Sequence, residues 1–319
     1  MFEEFEKAKK LIDELNNIYI VAHVNPDGDA IGSTFGLYFA LKTIGKNVHV
    51  ICPNYSDVFN FLPGIKEAVT SIKDNNCDLL ICLDSSDNTR LAISGEDYNK
   101  AKKIIMFDHH QKSHPYGDVI YINDKLSSAC EIVYNFIKFL GIPFDKNSAS
   151  LLYTGMMTDT GSFNYSNSSA STHRAIAELI EAGADFVDIC KKLNDTIKES
   201  KLKLIAKTID NMEIYYDGKL RYSYIDYDTI KGLGIDDEDA EGMTNYLRKV
   251  EGTEVAVYVR GKSDGSLKVS MRSNGKIDIS KIAIEFGGGG HPRAAGYTMK
   301  ENIDIEKKKL IDVVGVMLN

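Results

Sequence analysis

Short apolar runs alternate with helical patterns through the first half of the chain. Runs rich in Ile, Val and Leu are typical of strands that are buried on both faces of a sheet. Such runs occupy residues 18–24, 47–52, 78–83, 103–107 and 118–122, and helical patterns occupy 30–45, 127–140 and 146–159. Strands that alternate with helices predict an α/β fold in which helices wrap a parallel sheet.

The pattern changes after a further helical stretch at 173–183. A Lys-rich helical segment at 186–208 carries no catalytic signature and is predicted to be a linker. Beyond it, strands are predicted at NMEIYY, KLRYSYI, EVAVYV and SLKVSM, and helices at 238–249, 278–285 and 303–318. We therefore predict three parts, namely a large α/β domain at 1–185, a helical linker at 186–208 and a smaller α+β domain at 209–319.

Residues that can bind metal ions follow the apolar runs. They are His23, Asp27 and Asp29 after the first run, Asp84 after the third, the triplet Asp108-His109-His110 after the fourth, and Asp159 in a later helical stretch. Because the carboxyl ends of strands converge on one crevice in an open α/β sheet, we expect these side chains to meet. An Asp-rich, solvated turn would explain the first cluster alone, but carboxylates near buried strands are costly unless they are paired or coordinated.

The charge of this set matches two divalent cations. Asp27, Asp29, Asp84 and Asp159 supply four negative charges, and neutral imidazoles add none. Two ions held ~3.5 to 4 Å apart can stabilise both the attacking and the leaving oxygen of a phosphoester. Carboxylate and imidazole ligands without thiolate favour Mn²⁺, with Mg²⁺ or Co²⁺ as alternatives.

Composition narrows the class of protein further. The chain has 319 residues, 43% of them apolar, which suffices for two packed cores. Its five cysteines form no CxxC pair, which indicates a reducing cytoplasm, and no apolar run approaches the ~18 residues that span a bilayer. A net charge of −8 disfavours tracking along duplex DNA, so an anionic substrate must be captured locally.

Five motifs, taken in order, resemble the DHH phosphoesterase superfamily. AHVNPDGDAIGS (22–33), LDSSD (83–87), DHH (108–110) and TGMMTDTGSF (154–163) are similar to its catalytic domain, and GGGGHPRAAG (287–296) is similar to the signature of its DHHA1 substrate-binding domain. The resemblance covers nearly the whole chain. It identifies 1–185 as a DHH catalytic, metal-binding domain and 209–319 as a DHHA1 domain.

The resemblance implies a role for each matching residue. One ion is held by His23, Asp27 and Asp84, and the other by Asp29, Asp84, His109 and Asp159, so that Asp84 bridges the two. Asp108 orients an imidazole, and His110 faces the scissile phosphate as a hydrogen-bond donor or proton carrier. In the DHHA1 domain, the residues expected to hold the nucleotide are Arg272, Ser273, Gly288, Gly289, Gly290 and His291.

Among two-domain members, the chain resembles the bifunctional oligoribonuclease (nanoRNase) and pAp phosphatase type. This resemblance implies a metal-dependent hydrolase that binds its substrate in a cleft between the domains. Its expected substrates are short single-stranded RNA or DNA oligonucleotides, which it cleaves to mononucleotides, and the nucleoside bisphosphate 3′-phosphoadenosine 5′-phosphate, which it converts to AMP. Ser113 and Asn164 depart from the family pattern and leave the preference among substrates open.

Three alternatives stay open at the level of sequence. A stand-alone phosphodiesterase of cyclic dinucleotides such as c-di-AMP, or of the linear product pApA, would share the catalytic half. A pyrophosphatase would share it as well, although the glycine-rich ending differs from the substrate domain expected of that enzyme. A non-catalytic nucleotide-binding protein would need a defective ligand set, and no ligand is missing. The sequence does not decide the oligomeric state, and a homodimer is one option.

Overall fold

The computed structural model describes residues 2–73, 76–85, 87–110, 114–236, 239–275 and 277–318. It divides into two compact units, Met1–Thr196 (unit 1) and Ile197–Asn319 (unit 2). The division falls inside the segment 186–208, where the sequence predicts a linker. Ser113 lies outside the described residues.

Strands and helices alternate in unit 1 as the apolar pattern predicts. In chain order they are α1 (Phe2–Glu14), β1 (Asn17–Val21), α2 (Gly28–Thr43), β2 (Asn47–Ile51), β3 (Cys77–Leu83), α3 (Gly95–Tyr98), β4 (Ala101–Asp108), β5 (Val119–Ile122), α4 (Ala129–Leu140), α5 (Lys146–Asp159), α6 (Ala170–Glu181) and α7 (Phe186–Cys190). Single turns of 3₁₀ helix lie at Asp57–Phe59, Ile65–Glu67 and Asn88–Arg90.

A parallel sheet forms the centre of unit 1. Within the described residues its strand order is β2–β1–β3–β4–β5, and every neighbouring pair is parallel. Side chains alternate between its faces: Ile20 and Ile81 join the core that includes α1, α2, α4 and α5, whereas Val21 and Leu80 join a second cluster. Burial on both faces explains the continuous apolar runs, and the α/β fold class is confirmed.

Helices α2 and α5 pack closely because glycines lie at their contact. A Cβ atom at Gly32 would come within 2.4 Å of the Leu151 carbonyl oxygen, and one at Gly28 within 2.4 Å of Thr158 Oγ1. The amino end of α2, which carries Asp29, therefore lies against the carboxyl end of α5, which carries Asp159. This packing brings two of the predicted ligands together.

Unit 2 has a mixed sheet with helices on both faces. Its elements are α8 (Glu199–Asp210), β6 (Glu213–Tyr215), β7 (Leu220–Ile225), α9 (Tyr227–Gly232), α10 (Thr244–Arg248), β8 (Val255–Gly261), β9 (Leu267–Ser273), α11 (Ile279–Glu285), β10 (Gly289–His291), β11 (Ala294–Thr298) and α12 (Ile303–Leu318). The described strands follow the order β10–β11–β9–β8–β7–β6, with only β7 and β8 parallel. The predicted α+β architecture of the smaller domain is thus confirmed.

Two local predictions differ from the structure, and the strand that the glycine run forms was not predicted. The segment 186–208 is not one helix, because a π-helical turn at Lys191–Asp195 is followed by extended residues before α8 begins. The predicted helix 238–249 is reduced to α10, since Gly242 just before it adopts φ 83°. The glycine run is not a plain loop: residues 289–291 form the edge strand β10. In the described part of the chain, no helix combines the length and apolarity needed to cross a membrane.

Candidate metal centre

The loop between β1 and α2, together with the first turn of α2, presents three of the predicted ligands. Asn25 adopts φ 54°, and this left-handed residue turns the chain after the strand. Asp27 is the N-cap of α2, where its Oδ1 accepts hydrogen bonds from the amides of Asp29 and Ala30, both at 3.0 Å. His23 donates from Nδ1 to the Val24 carbonyl at 2.8 Å, which turns its Nε2 toward Asp84.

The structure brings all the predicted metal ligands of unit 1 into one place. Three sets each have ligand atoms within 4.8 Å of one another, and they are His23 with Asp27 and Asp84, Asp29 with His109 and Asp159, and Asp84 with His109 and His110. Asp84 and His109 each belong to two sets. The sets therefore form one continuous cluster that could hold more than one ion.

Distances inside the cluster suit cation ligands better than hydrogen bonds. His109 Nε2 lies 3.5 Å from Asp84 Oδ1, 3.7 Å from Asp29 Oδ2 and 3.8 Å from Asp159 Oδ2. These separations exceed the usual ~2.7 to 3.2 Å of a hydrogen bond. Ligands at ~2.1 Å from one ion lie ~3 Å or more apart, so a cation between these atoms would need only small adjustments.

Asp84 is the residue that most requires a cation. Its side chain is buried, and Oδ1 has no hydrogen-bond partner among the described residues. Its backbone adopts φ 51°, a left-handed conformation that costs energy in a residue other than glycine and is found at functional sites. His23 Nε2 and His110 Nδ1 lie 3.6 and 3.7 Å from its two oxygens. A buried carboxylate oxygen surrounded by ligand groups fits a bridging position between two metal ions.

The carboxylates of the cluster change the pKa values of its histidines. Burial lowers the pKa of His109, but Asp84 and the nearby charges of Asp29 and Asp159 outweigh it and raise the pKa to about 10. Burial likewise lowers the pKa of His23, and Asp84 reverses this and raises it to about 9. In the metal-free protein both imidazoles therefore carry protons at neutral pH.

The carboxylates also affect one another. Burial and the charge of Asp84 raise the pKa of Asp29 well above its usual value. Burial raises the pKa of Asp159 to about 6, with a further contribution from Asp84. Burial also tends to raise the pKa of Asp84. The contacts of Asp84 with His109 and His23 outweigh burial and hold the pKa of Asp84 far below the usual range. The cluster thus concentrates negative charge that protons or metal ions must balance.

Asp108 and His110 form a hydrogen-bonded pair at the edge of the cluster, to which His110 also belongs. Asp108 is buried, and its Oδ1 lies 2.7 Å from His110 Nδ1 and accepts a 2.8 Å hydrogen bond from the His109 amide. The contact between Asp108 Oδ1 and His110 Nδ1 is the main cause of the raised pKa of His110, whose side chain is 45% exposed. A half-exposed, oriented imidazole of raised pKa can deliver a proton.

Sequence reasoning missed the groups that hold the ligands in place. The amides of Ala129 and Cys130, at the start of α4, donate to Asp29 Oδ2 at 2.7 Å and to Asp29 Oδ1 at 2.9 Å. Asn167 Nδ2 lies 3.4 Å from Asp159 Oδ2 and donates to the Ser127 carbonyl at 2.9 Å. Backbone donors leave no sequence signal, and Asn167 lies in a polar stretch without a motif.

The predicted nucleotide-binding residues lie together in unit 2. Register places His291, Ala294 and Arg272 in one row across β10, β11 and β9. Paired residues of antiparallel strands point to the same face, so the imidazole and the guanidinium lie on either side of the small Ala294 side chain. Ser273 ends β9 and is buried, and its amide donates to the Arg293 carbonyl at 3.2 Å.

The three glycines of the predicted nucleotide site differ in what they contribute to the structure. They are Gly288, Gly289 and Gly290. A Cβ at Gly288 would lie 2.2 Å from the Gly296 carbonyl oxygen, and one at Gly290 would lie 2.5 Å from the Ala294 carbonyl oxygen. These two glycines are needed for strand packing. A Cβ at Gly289 would have no heavy atom within 4 Å among the described residues, so its exposed backbone is the part of the run that a ligand can approach.

Known proteins share both units. The model of the DHH family, N-terminal domain, matches residues 17–156, and that of the DHHA1 domain matches residues 217–315. A protein from Thermus thermophilus named bifunctional oligoribonuclease and PAP phosphatase NrnA is 31% identical over 294 residues, which cover 91% of this chain and 86% of the relative.

Two solved structures extend the comparison. An exopolyphosphatase-related protein from Bacteroides fragilis, known from a crystal structure, is 29% identical to this chain, and the two structures match with a TM-score of 0.89. The match covers 100% of this chain and 98% of the Bacteroides chain. RecJ from Thermus thermophilus, solved in complex with Mn²⁺, has 13% identity and a TM-score of 0.54 over 99% of this chain and 54% of RecJ. The likeness to RecJ is one of fold.

Proposed function

The chain belongs to the DHH family and carries a DHHA1 domain, and from this premise we propose that it is a two-metal hydrolase of short nucleotide substrates. It cleaves short oligonucleotides to mononucleotides and converts 3′-phosphoadenosine 5′-phosphate to AMP. The two activities in the name of the Thermus relative support both reactions. The family resemblance of the five sequence motifs is confirmed.

The observation that carries this proposal is the buried Oδ1 of Asp84, which has no hydrogen-bond partner within the described residues. We assign one ion to His23, Asp27 and Asp84, and the other to Asp29, Asp84, His109 and Asp159. Mn²⁺ is the ion we favour, because the donors are carboxylates and imidazoles. When bound, the two ions lower the pKa of water and neutralise charge on the phosphoryl oxygens.

His110 and Asp108 supply the proton chemistry of the proposed reaction. His110 carries its proton more readily than a free imidazole, because Asp108 raises its pKa. It therefore donates a hydrogen bond to the phosphate and protonates the leaving oxygen. Asp108 holds the ring through Nδ1, which fixes its orientation for this transfer.

Substrate selection is assigned to unit 2. Arg272 and His291 flank the space above Ala294, where a terminal phosphate and its nucleoside can bind, and Gly289 exposes its backbone nearby. The family resemblance also assigns Ser273, Gly288 and Gly290 to this site, where Ser273 is buried at the end of β9 and the two glycines pack against β11. All five cysteines of the chain are free, which is compatible with a reducing cytoplasm.

A substrate panel tests the proposal. The purified chain is incubated with Mn²⁺ and labelled RNA of two to twenty-four nucleotides, the adenosine bisphosphate, c-di-AMP and pyrophosphate. We expect mononucleotides from the shortest RNA and AMP from the bisphosphate. Turnover of c-di-AMP or pyrophosphate alone would overturn the proposal in favour of the corresponding alternative enzyme.

The same panel includes a matched pair of variants at the two ends of β3. Asp84→Asn is expected to abolish hydrolysis. Asp78→Asn removes a surface carboxylate that binds Lys102 at 2.6 Å, and it is expected to leave hydrolysis unchanged. Equal activity of the two variants would contradict the assignment of Asp84 to the metals.

A further inference from the structure

A buried carboxylate outside the ligand cluster joins the elements that hold two of the ligands. Glu131, on the first turn of α4, is 1% exposed. Its Oε2 accepts hydrogen bonds from the Ser127 amide at 2.9 Å, Ser127 Oγ at 2.7 Å and Thr172 Oγ1 at 2.9 Å. Its Oε1 accepts one from Ser171 Oγ at 2.8 Å. Among the described residues these partners are neutral, and they join the start of α4 to the start of α6.

The sequence motif alone suggests a smaller role for Glu131. The spacing of Ser128 and Glu131 predicts a capping box, and the Ser128 hydroxyl does accept from the Glu131 amide at 3.1 Å. The carboxylate, however, bonds to the preceding residue Ser127 and to α6 rather than to the Ser128 amide. Glu131 therefore connects two helices and does more than cap one.

The first connection leads to Asp29. Both oxygens of the Asp29 carboxylate are held by the amides of Ala129 and Cys130, which immediately follow the Ser127–Ser128 turn. The position of this turn decides where the two amides point. By fixing Ser127, Glu131 fixes the orientation of Asp29.

The second connection leads to Asp159. The Ser127 carbonyl accepts from Asn167 Nδ2 at 2.9 Å, and the same Nδ2 lies 3.2 Å from the Asp159 carbonyl and 3.4 Å from Asp159 Oδ2. Asn167 precedes α6, whose first turn is bound to Glu131. Asn167, which contacts Asp159, is thus linked to Glu131 in two ways, through Ser127 and through the first turn of α6.

We propose that Glu131 is a positioning residue for the metal centre, which sets the geometry of Asp29 and Asp159 through Ser127, α6 and Asn167. This inference rests on the proposed two-metal function. Residues that orient metal ligands typically change metal affinity by ~10- to 100-fold when they are replaced. The effect of Glu131 depends on its shape and hydrogen bonds, and not on its charge.

Direct measurement of Mn²⁺ binding tests the inference without reference to turnover. Electron paramagnetic resonance counts unbound Mn²⁺ as the metal-free protein is titrated. Glu131→Ala is expected to weaken binding by ~10- to 100-fold. Glu131→Gln is expected to bind like the wild type, because its amide oxygen can take the place of Oε2 while its NH₂ group donates to Ser171 Oγ.

A matched control separates this role from helix packing. Glu178 of α6 pairs with Lys138 of α4 at 2.7 Å on the exposed side of the same two helices. Glu178→Ala removes a contact between these helices but is expected to leave Mn²⁺ binding unchanged. An equal loss in Glu178→Ala and Glu131→Ala would reduce Glu131 to a packing residue.

Asn167→Ala keeps the test decisive if Glu131→Ala does not fold. This variant removes the link to Asp159 from a loop, and it is expected to weaken Mn²⁺ binding while α4 and α6 stay in place. Wild-type affinity in Asn167→Ala, or in a folded Glu131→Ala, would refute the inference. Wild-type protein that binds two ions but cleaves no nucleotide would instead refute the proposed function, and the variants would still decide the role of Glu131.

Discussion

Raising the pH is expected to destabilise the metal-free protein and to strengthen its binding of Mn²⁺. The folded pKa values of His23 and His109 are about 9 and about 10, above the ordinary value of 6.5. A group whose pKa rises on folding stabilises the protein fully below its unfolded pKa, and this stabilisation is lost as the pH rises through its folded pKa. The loss should therefore extend from pH 6.5 to 10.

The magnitude follows from the same pKa values. Each unit of pKa corresponds to ~1.4 kcal/mol, so removing the proton from His109 at pH 7 costs ~4 kcal/mol and from His23 ~3 kcal/mol. Metal ions bind the neutral imidazole, so each ion must displace the proton of its histidine. At pH 7 we expect the two histidines to contribute close to two protons to the number released per chain, and the apparent affinity to rise ~10-fold per pH unit at each ion as its histidine loses a proton.

Two measurements check this prediction. Thermal unfolding of the metal-free protein should show a falling midpoint between pH 6.5 and 10. Titration calorimetry of Mn²⁺ in buffers of different ionisation enthalpy gives the number of protons released. His49→Gln is the control, because burial lowers the pKa of His49 and it lies outside the ligand sets. A flat midpoint together with no proton release would refute the reasoning.

Three further predictions concern single residues. Asp84→Asn should bind fewer than two Mn²⁺ ions per chain, as counted by electron paramagnetic resonance, and unchanged stoichiometry would exclude a bridging role. Gly290→Ala should lower the free energy of unfolding by ~1 to 3 kcal/mol in a urea titration, because φ is 141° and a Cβ would lie 2.5 Å from the Ala294 oxygen. Gly289→Ala, whose Cβ meets open space among the described residues, should change it little. Arg272→Ala should raise KM for the adenosine bisphosphate and make KM less dependent on salt, because a charged contact with the phosphate is lost. An unaltered salt dependence would contradict that contact.

The fold of unit 1 was largely predictable because its sheet is buried on both faces. Continuous apolar runs such as 78–83 have no polar face to obscure them, and β3 was observed at Cys77–Leu83. Unit 2 was harder, because its short elements depend on single residues. Gly242 shortens α10. At the end of unit 1, Thr196 adopts an extended conformation that breaks the segment 186–208.

The sequence predicts candidate ligands for the metal centre, but it does not predict the groups that support them. His23 and Asp84 belong to sequence motifs, and the sheet topology places both at the carboxyl ends of strands. The groups that orient the ligands are backbone amides such as that of Ala129, or polar side chains such as Asn167 and Glu131. Their partners lie up to 101 residues away in sequence, as for Cys130 and Asp29, so only the packed structure identifies them.

The charge of the cluster indicates that bound cations would add to the stability of this chain as well as serve the proposed chemistry. Four carboxylates share a small volume, and the protonated His23 and His109 balance only part of their charge. Burial, together with the negative charge that stays uncompensated, raises the pKa values of Asp29 and Asp159. Two divalent ions would displace the protons and balance all four carboxylates. Because any ion that binds the folded chain in preference to the unfolded chain adds to stability, the acidic cluster couples the proposed chemistry to the folding of unit 1.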